Sequence, residues 1–479
     1  MLWHAKRGLR ARGLAHCGIK LMTDAPPSSL SPGLNTSQSA SRPASQPVSP
    51  APSSRGPAPS RTAIILSGGG ARGAYEVGVL WYVFDDFARL YGRPPRVDIL
   101  SGTSVGAINA CYLASNLADP VLGLRRLVNL WSELQLSKVL GFGLKQVVGL
   151  PKLLTGGGEG AGIFDLNPMA SLIQKEISWR AISRVLAKRE LRALTVSATE
   201  IQTGRTVVFM QTSPDCVMPT SAPPRTIFRD AAIGPQHALA SAAIPMIFPP
   251  VRLDSQLYVD GGLRQNTPIS PALRLGATHV LALGSSRDVR GVVVDESMNA
   301  PSRAPGAAFL VGKVLNAFLL DHMDADVELL NRLNSVLRDA KTAYGPDFEQ
   351  RISRVAREDG RAGYNEVNCL TIRPSEDLGQ LAADHIKSGR FRGNAIITRK
   401  LLGLTDFGFG GEADLASYVL FDGGFARQLI ELGRSDAHAR RRELLEFFTQ
   451  ADAGRGEDTP LSHTGAPPPV SEDGPRIIT

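Results

Sequence analysis

The stretch that most constrains this chain is Val97–Asn109, VDILSGTSVGAIN. A short apolar run meets Gly102-Thr103-Ser104-Val105-Gly106, and the helix-compatible Ala107, Ile108, Asn109 and Ala110 follow. It reads as a buried strand, a tight turn and a helix, with a serine at the apex. A serine lifted on such a turn needs neighbours without a Cβ, because the backbone there is crowded, and Gly102 and Gly106 supply them. Its hydroxyl then sits at the N-terminus of the following helix, where free N–H groups favour a developing negative charge. The sequence holds 48 glycines, so a bare G-x-S-x-G carries little weight by itself. The strand before it and the helix after it supply the weight.

A second strand, glycine loop and helix lie just upstream. Thr62–Leu66 (TAIIL) predicts a short buried strand and Ser67-Gly68-Gly69-Gly70-Ala71-Arg72-Gly73 a loop. Ala74–Phe84 then shows a helical apolar face through Val77, Leu80, Trp81 and Phe84, closed by Asp85 and Asp86. Backbone N–H groups gathered in such a loop bind a phosphate or an oxyanion equally well. Gly68, Gly70 and Gly73 satisfy the dinucleotide fingerprint G-x-G-x-x-G, but that reading demands an acid at the end of the second strand, about 20 residues on. Asp98 instead starts a strand. Paired with the serine turn, the loop is better read as an oxyanion hole.

A nucleophilic serine needs a base, and histidine with a carboxylate is the ordinary answer. His4 and His16 lie in the N-terminal extension and His463 in the C-terminal tail; His279 sits inside an apolar strand and reads as a core residue. His237, before the small-residue helix of Ala238–Val251, is the best triad candidate. The other solution is a carboxylate acting directly. Asp260 ends the strand stub Leu257–Val259 and is followed by Gly261 and Gly262, which allow close backbone approach. Asp422 heads the same tripeptide, yet Phe425, Leu429 and Ile430 behind it mark a helix start, so Asp422 reads as an N-cap.

Taken together, SGGGARGAYEVGVL from Ser67, SGTSVGAINA from Ser101, ASAAIPMIFPPV from Ala240 and YVDGGLRQNTPI from Tyr258 resemble the patatin-like phospholipase family. The motifs run in order from about Thr62 to Leu283, nearly half of the chain. The resemblance implies a three-layer α/β/α patatin-like core with a central, mostly parallel sheet, distinct from the usual α/β-hydrolase. It implies a Ser–Asp dyad without histidine, with Ser104 as nucleophile and Asp260 as base. It further implies an oxyanion hole of N–H groups around Gly68, Gly69 and Gly70, with Arg72 and Gly73 positioning that loop. Gly102 and Gly106 frame the nucleophile, and Gly261-Gly262 completes the motif after the base. The activity implied is that of a serine lipid acyl hydrolase, phospholipase A or lysophospholipase in type, with no cofactor and no metal. A catalytically silent lipid-binding or scaffold protein on the same fold is the alternative, and the intact Ser104, Asp260 and glycine loop speak against it.

Length and composition set the rest. A chain of 479 residues with 43% hydrophobic residues accommodates a large α/β core with additions. No run approaches the roughly 18 to 20 apolar residues of a spanning helix. The formal charge of +8 is spread along the chain and does not argue for nucleic acid. Cys17, Cys111, Cys216 and Cys369 are far apart, without metal-ligand spacing, which suits a reduced cytoplasmic setting. Residues 1–61 read as a disordered extension: Lys6, Arg7, Arg10, Arg12 and Lys20 come first, without the apolar core of a signal peptide, and a Pro/Ser-rich stretch follows. Met22 is equally able to begin the chain. The basic segment and an apolar pocket rim near Ile244–Phe248 are the two expected sites of peripheral membrane contact. Residues 62–290 form the expected catalytic domain, 291–450 a mostly helical region packed on it, and 451–479 a disordered tail. The basic run Arg440–Arg442 reads as a solvated helix face. The sequence sets no oligomeric state.

Overall fold

Runs such as TAIIL and HVLAL are apolar at consecutive positions, which suits strands covered on both faces. In the computed structural model, which describes residues 59–139, 165–245, 247–287, 323–358, 363–389 and 416–455, these runs form the middle of a mostly parallel sheet. The described residues belong to one compact unit beginning at Ala58. The first elements are β1 (Thr62–Leu66), α1 (Gly73–Trp81), α2 (Phe87–Tyr91), β2 (Ile99–Thr103), α3 (Val105–Ser115), α4 (Pro120–Ser132) and α5 (Leu136–Val139). Next come α6 (Asn167–Glu176), α7 (Trp179–Ala187), β3 (Ala193–Glu200), β4 (Thr206–Thr212), β5 (Thr226–Asp230) and α8 (Pro235–Ser241). Then β6 (Val251–Leu253), β7 (Gln256–Asp260), α9 (Ile269–Arg274), β8 (His279–Leu283), α10 (Met323–Tyr344) and α11 (Phe348–Glu358) follow. The chain closes with β9 (Asn368–Ile372), α12 (Leu378–Lys387), α13 (Gly423–Ala439) and α14 (Arg441–Ala453).

Across the sheet the order is β5-β4-β3-β2-β1-β8-β9. From β3 to β9 neighbours are parallel, while β4 runs antiparallel to β3. Side chains of β1 alternate between two cores: Ile64 and Leu66 pack with α1, α3, α13 and α14, Ala63 and Ile65 with α9 and α10. β8 divides in the same way, Leu281 and Leu283 to one face, Val280 and Ala282 to the other. This period-two split makes a three-layer α/β/α sandwich.

One edge of β3 serves two strands placed end to end. β2 runs parallel along its first part, ending with Thr103 opposite Ser197. β7 runs antiparallel along the remainder, ending with Asp260 opposite Ala198. Two strands therefore terminate head to head at consecutive β3 residues. The residue after Thr103 is thereby delivered beside Asp260.

The C-terminal region is part of this core. β9 adds to the sheet beside β8, α13 lies along α1, and the Tyr75 hydroxyl donates to Asp436 Oδ2 at 3.1 Å. Order also reaches beyond the expected limits. Ser60 Oγ bonds His279 Nδ1 at 2.9 Å, and Arg455 binds Asp98 Oδ2 at 2.7 Å. The helix expected to close at Asp85 and Asp86 continues through a π-turn to Tyr91, where Gly92 (φ 88°) ends it. The two acids do not cap; Asp85 is held by Trp81, Arg89 and Arg125, and Asp86 by Arg434. The small-residue helix begins earlier than expected, with Pro235 in its first turn, and ends at Ser241, four residues before Pro245. The sequence also predicts a glycine-rich loop over Pro151–Gly162, a helix over Ile163–Ile177 and a long helical pattern over Phe309–Leu337; that loop, the helix start and the pattern as far as His322 lie outside the described residues, as do residues 1–58 and 456–479.

Candidate active site

Ser104 sits at the apex between β2 and α3 with φ 56° and ψ −129°. A non-glycine residue held there stores strain of about 1–3 kcal/mol, which the surrounding structure must over-determine. It does so from several sides. The Ser104 amide donates to Ser241 Oγ at 2.8 Å, and the Ser241 hydroxyl donates to the Ser197 carbonyl at 2.6 Å. The Ser104 carbonyl accepts from Ala107 at 3.0 Å, starting α3. Close approach explains Gly106: a Cβ there would lie 2.4 Å from the Leu66 carbonyl oxygen, so no side chain fits between α3 and the end of β1.

The Ser104 hydroxyl donates to Asp260 Oδ2 at 2.6 Å. The other carboxylate oxygen, Oδ1, accepts from the Gly262 amide at 2.7 Å. The backbone of Asp260 is tied to Ala243 through its amide (2.9 Å) and to Thr199 Oγ1 through its carbonyl (3.0 Å). Asp260 is fully buried and Ser104 only 3% exposed. Burial pushes the Asp260 carboxyl up to about 7, and the hydrogen bonds from Ser104 and Gly262 hold it from rising further. A carboxylate poised at neutral pH and bonded to a strained serine can accept that serine's proton.

The glycine loop crosses the same end of the sheet. Gly70 has φ 55°, and a Cβ on it would lie 2.1 Å from the Tyr418 carbonyl oxygen, so only glycine is admitted. Gly70–Arg72 makes one three-ten turn in which the Arg72 amide donates to the Gly69 carbonyl at 3.1 Å. The first amides of such a turn have no partner inside it. The Gly68 amide, expected among the oxyanion donors, donates to the Asn266 carbonyl at 3.1 Å. Arg72 is buried. Its Nε donates to Ser417 Oγ at 2.7 Å, its Nη1 to the Ser285 carbonyl at 3.4 Å, and its guanidinium stacks on Tyr418 at 4.0 Å. It locks the loop to the chain after β8 and to the segment before α13. Gly73 packs against Val105 at the start of α3.

The histidines are placed elsewhere. His279 begins β8, at the end of the sheet opposite Ser104, where Ser60 and Thr278 bond its Nδ1. His237 accepts from the Gly234 amide at 3.1 Å and sets its ring edge-on to Phe209, so it caps α8. Asp422 caps α13, accepting from the amides of Gly424 (2.9 Å) and Phe425 (3.1 Å). The pocket rim expected at Ile244–Phe248 is not a surface: Ile244, Ile247 and Phe248 are buried in the main core, where apolar side chains gain most. Among the described residues, no group of three or more His, Cys, Asp or Glu side chains is placed to hold a metal ion, and no helix is long and apolar enough to cross a membrane. Sequence reasoning missed Ser241, Asn266, Ser285, Ser417 and Tyr418. Ser241 and Asn266 stand inside the quoted motifs, and Ser285 follows a parallel strand at the end where sites gather, so those three had a signal. Ser417 and Tyr418 had none.

This strand-turn-helix serine, beside a carboxylate and a glycine loop, defines a class. Residues 64–273 match the family model for patatin-like phospholipase. A curated relative, patatin-like phospholipase domain-containing protein 7 of Rattus norvegicus, is 27% identical over 229 residues, 47% of this chain but 14% of the relative's length. Among solved structures, human GIVD cytosolic phospholipase A2 in complex with methyl gamma-linolenyl fluorophosphonate is 13% identical with a TM-score of 0.37, covering 83% of this chain and 60% of that one. VipD from Legionella pneumophila is 14% identical with a TM-score of 0.28, covering 81% and 67%.

Proposed function

We propose that the chain is a serine lipid acyl hydrolase acting through Ser104 and Asp260. The observation that carries this reading is the 2.6 Å hydrogen bond from the strained Ser104 hydroxyl to a fully buried Asp260. Asp260 Oδ2 takes the Ser104 proton as Oγ attacks the acyl carbonyl of a glycerolipid ester. The amides of Gly69 and Gly70 hold the tetrahedral oxyanion. Collapse breaks the ester C–O bond, the protonated Asp260 returns its proton to the leaving alkoxide, and acyl-Ser104 remains. Water then gives a proton to Asp260 and attacks the acyl carbon, and the fatty acid leaves as Ser104 recovers its hydrogen. The chain meets its substrate as a peripheral protein on a lipid surface.

The test is fatty-acid release from phospholipids, lysophospholipids and neutral glycerides, presented in vesicles of varied anionic content, with Ser104→Ala as the comparison. We expect release by the wild-type chain, a loss of about 10³-fold or more in the variant, and a rate that grows with anionic lipid. No release from any lipid, or equal release by Ser104→Ala, overturns the proposal and favours a silent lipid-binding protein.

A further inference from the structure

The segment that carries the base also reaches back over the glycine loop. After Asp260 the chain makes one three-ten turn, Gly261–Leu263, and then lies across the ends of β1 and β2. The Gln265 carbonyl accepts from Thr103 Oγ1 at 2.9 Å, the Pro268 carbonyl from Ser101 Oγ at 3.0 Å, and Thr267 Oγ1 bonds Ser67 Oγ at 2.7 Å. Between them Asn266, 3% exposed, grips Gly68 twice. Its carbonyl accepts from the Gly68 amide at 3.1 Å, and its Nδ2 donates to the Gly68 carbonyl at 3.3 Å. The same carbonyl accepts a second bond, 2.8 Å, from the Ser285 hydroxyl beyond β8, and Ser285 is itself 1% exposed. The Asn266 side chain lies so close over Gly68 that a Cβ there would meet its Oδ1 at 2.3 Å and the Ser104 Cβ at 3.2 Å.

The Gly68 carbonyl and the Gly69 amide belong to one planar trans peptide, so they point to opposite sides of it. Fixing the carbonyl with two donors fixes the direction of the Gly69 N–H. We infer that Asn266 and Ser285 are positioning residues for the reaction. Together they clamp the Gly68–Gly69 peptide so that the Gly69 N–H faces the oxyanion formed at Ser104. This rests on the Ser104–Asp260 reading above and adds to it the parts that aim the donor. Neither side chain touches substrate. A loose peptide at this position would divide its time between orientations, and a donor that must be reoriented during the reaction loses much of its worth. Arg72, bonded to the Ser285 carbonyl, holds the second donor in register with the loop.

The experiment compares Asn266→Ala, Asn266→Asp and Ser285→Ala with the wild-type full chain, using a short soluble ester. A trifluoromethyl ketone, which forms a tetrahedral oxyanion adduct with the serine, reports on the oxyanion site directly. Removing one oxyanion donor costs about 10²–10³-fold in turnover, and we expect about 10- to 10²-fold for each positioning variant. KM should stay within about threefold, because ground-state binding is untouched. The inhibition constant for the ketone should rise in step with the fall in kcat/KM, and the acid limb of the pH profile should not move. Ser285→Ala deletes a single oxygen and serves if the Asn266 variants fail to fold. Unchanged kcat in folded Ser285→Ala and Asn266→Ala, a loss carried by KM alone, or a lower kcat with unchanged ketone affinity overturns the clamp. Failure of the underlying reading looks different: wild-type protein would then resist labelling by a fluorophosphonate, and Ser104→Ala would match wild type.

Discussion

Two identical tripeptides, Asp260-Gly261-Gly262 and Asp422-Gly423-Gly424, meet opposite fates in this molecule. Asp260 ends a strand and faces the serine; its carboxylate, fully buried, accepts from the Ser104 hydroxyl and the Gly262 amide. Asp422 precedes a helix and collects the Gly424 and Phe425 amides together with His385 Nε2 at 2.9 Å. Burial raises both, but at Asp260 it wins and carries the carboxyl to about 7. At Asp422 the bonds from His385 and the helix amides outweigh burial and hold the carboxyl below its ordinary range. The lesson is that an Asp-Gly-Gly turn has no fixed chemistry. The element before it decides what the carboxylate faces, and the number of donors decides whether it will take a proton at neutral pH.

The sharpest way to break this comparison is to make the same substitution twice. Asp260→Asn keeps the volume and removes the proton acceptor, so ester turnover should fall about 10²- to 10⁴-fold in a folded protein. Asp422→Asn should leave turnover close to wild type, since asparagine caps helices as well as aspartate does. Steady-state hydrolysis of a soluble ester by both purified variants decides the matter. Inactive Asp422→Asn beside active Asp260→Asn would reverse the two assignments.

Next in size is the dependence on pH. A base titrating at about 7 gives kcat/KM an acid limb near that pH, with activity rising as Asp260 loses its proton. The same shift acts on stability. Because the folded carboxyl is raised above its unfolded value of 3.8, its contribution is fully present below pH 4 and is lost as pH rises towards about 7. The whole span amounts to about 4 kcal/mol. Asp260→Asn should therefore melt above wild type at pH 8, with the gap closing by pH 4. Asp422 has the reverse sign: its contribution is present above the unfolded value and is lost as pH falls below it. A melting series for both variants that shows the same sign at both positions would remove the electrostatic distinction.

The two aspartates also show how much the sequence discloses. The apolar runs give β1, β2 and β8 because parallel strands are buried on both faces and need no partner pattern to be seen. The cap at Asp422 is legible because the helix behind it has its own period. The three-layer fold and the family follow from motifs that lie close together in the chain. What escapes is carried by contacts across long separations. β5 is half-exposed and β6 only three residues long, so neither has a pattern to read. Ser285 and Tyr418 reach the glycine loop from 217 and 346 residues away, as their bonds to Gly68 and Arg72 record. Ile244–Phe248 reads as a rim because apolarity alone does not say which side of a wall a residue lines.

The smallest effect tests Asp422 as a purely structural residue. Asp422→Ala removes the cap of α13, worth about 1 kcal/mol. It also deprives His385 Nε2 of its acceptor. His385 is 3% exposed, and its Nδ1 has no hydrogen-bond partner among the described residues, so among these the variant leaves a buried ring with neither nitrogen bonded. An unpaired buried polar group costs about 1–3 kcal/mol, so Asp422→Ala should lose more stability than the cap alone explains. Asp422→Asn retains an oxygen for both duties and should lose less than about 1 kcal/mol. Urea unfolding at pH 7 measures both, with a shift in midpoint and a constant slope as the expected form. Because the Asp422 cap lies five residues after Ser417, and Ser417 holds Arg72 of the glycine loop, a loose cap has a short path to the site. Turnover per folded molecule separates the two roles: unchanged in Asp422→Ala, it leaves Asp422 as a brace, whereas a fall as deep as that of Asp260→Asn would make the second tripeptide part of the catalytic machinery.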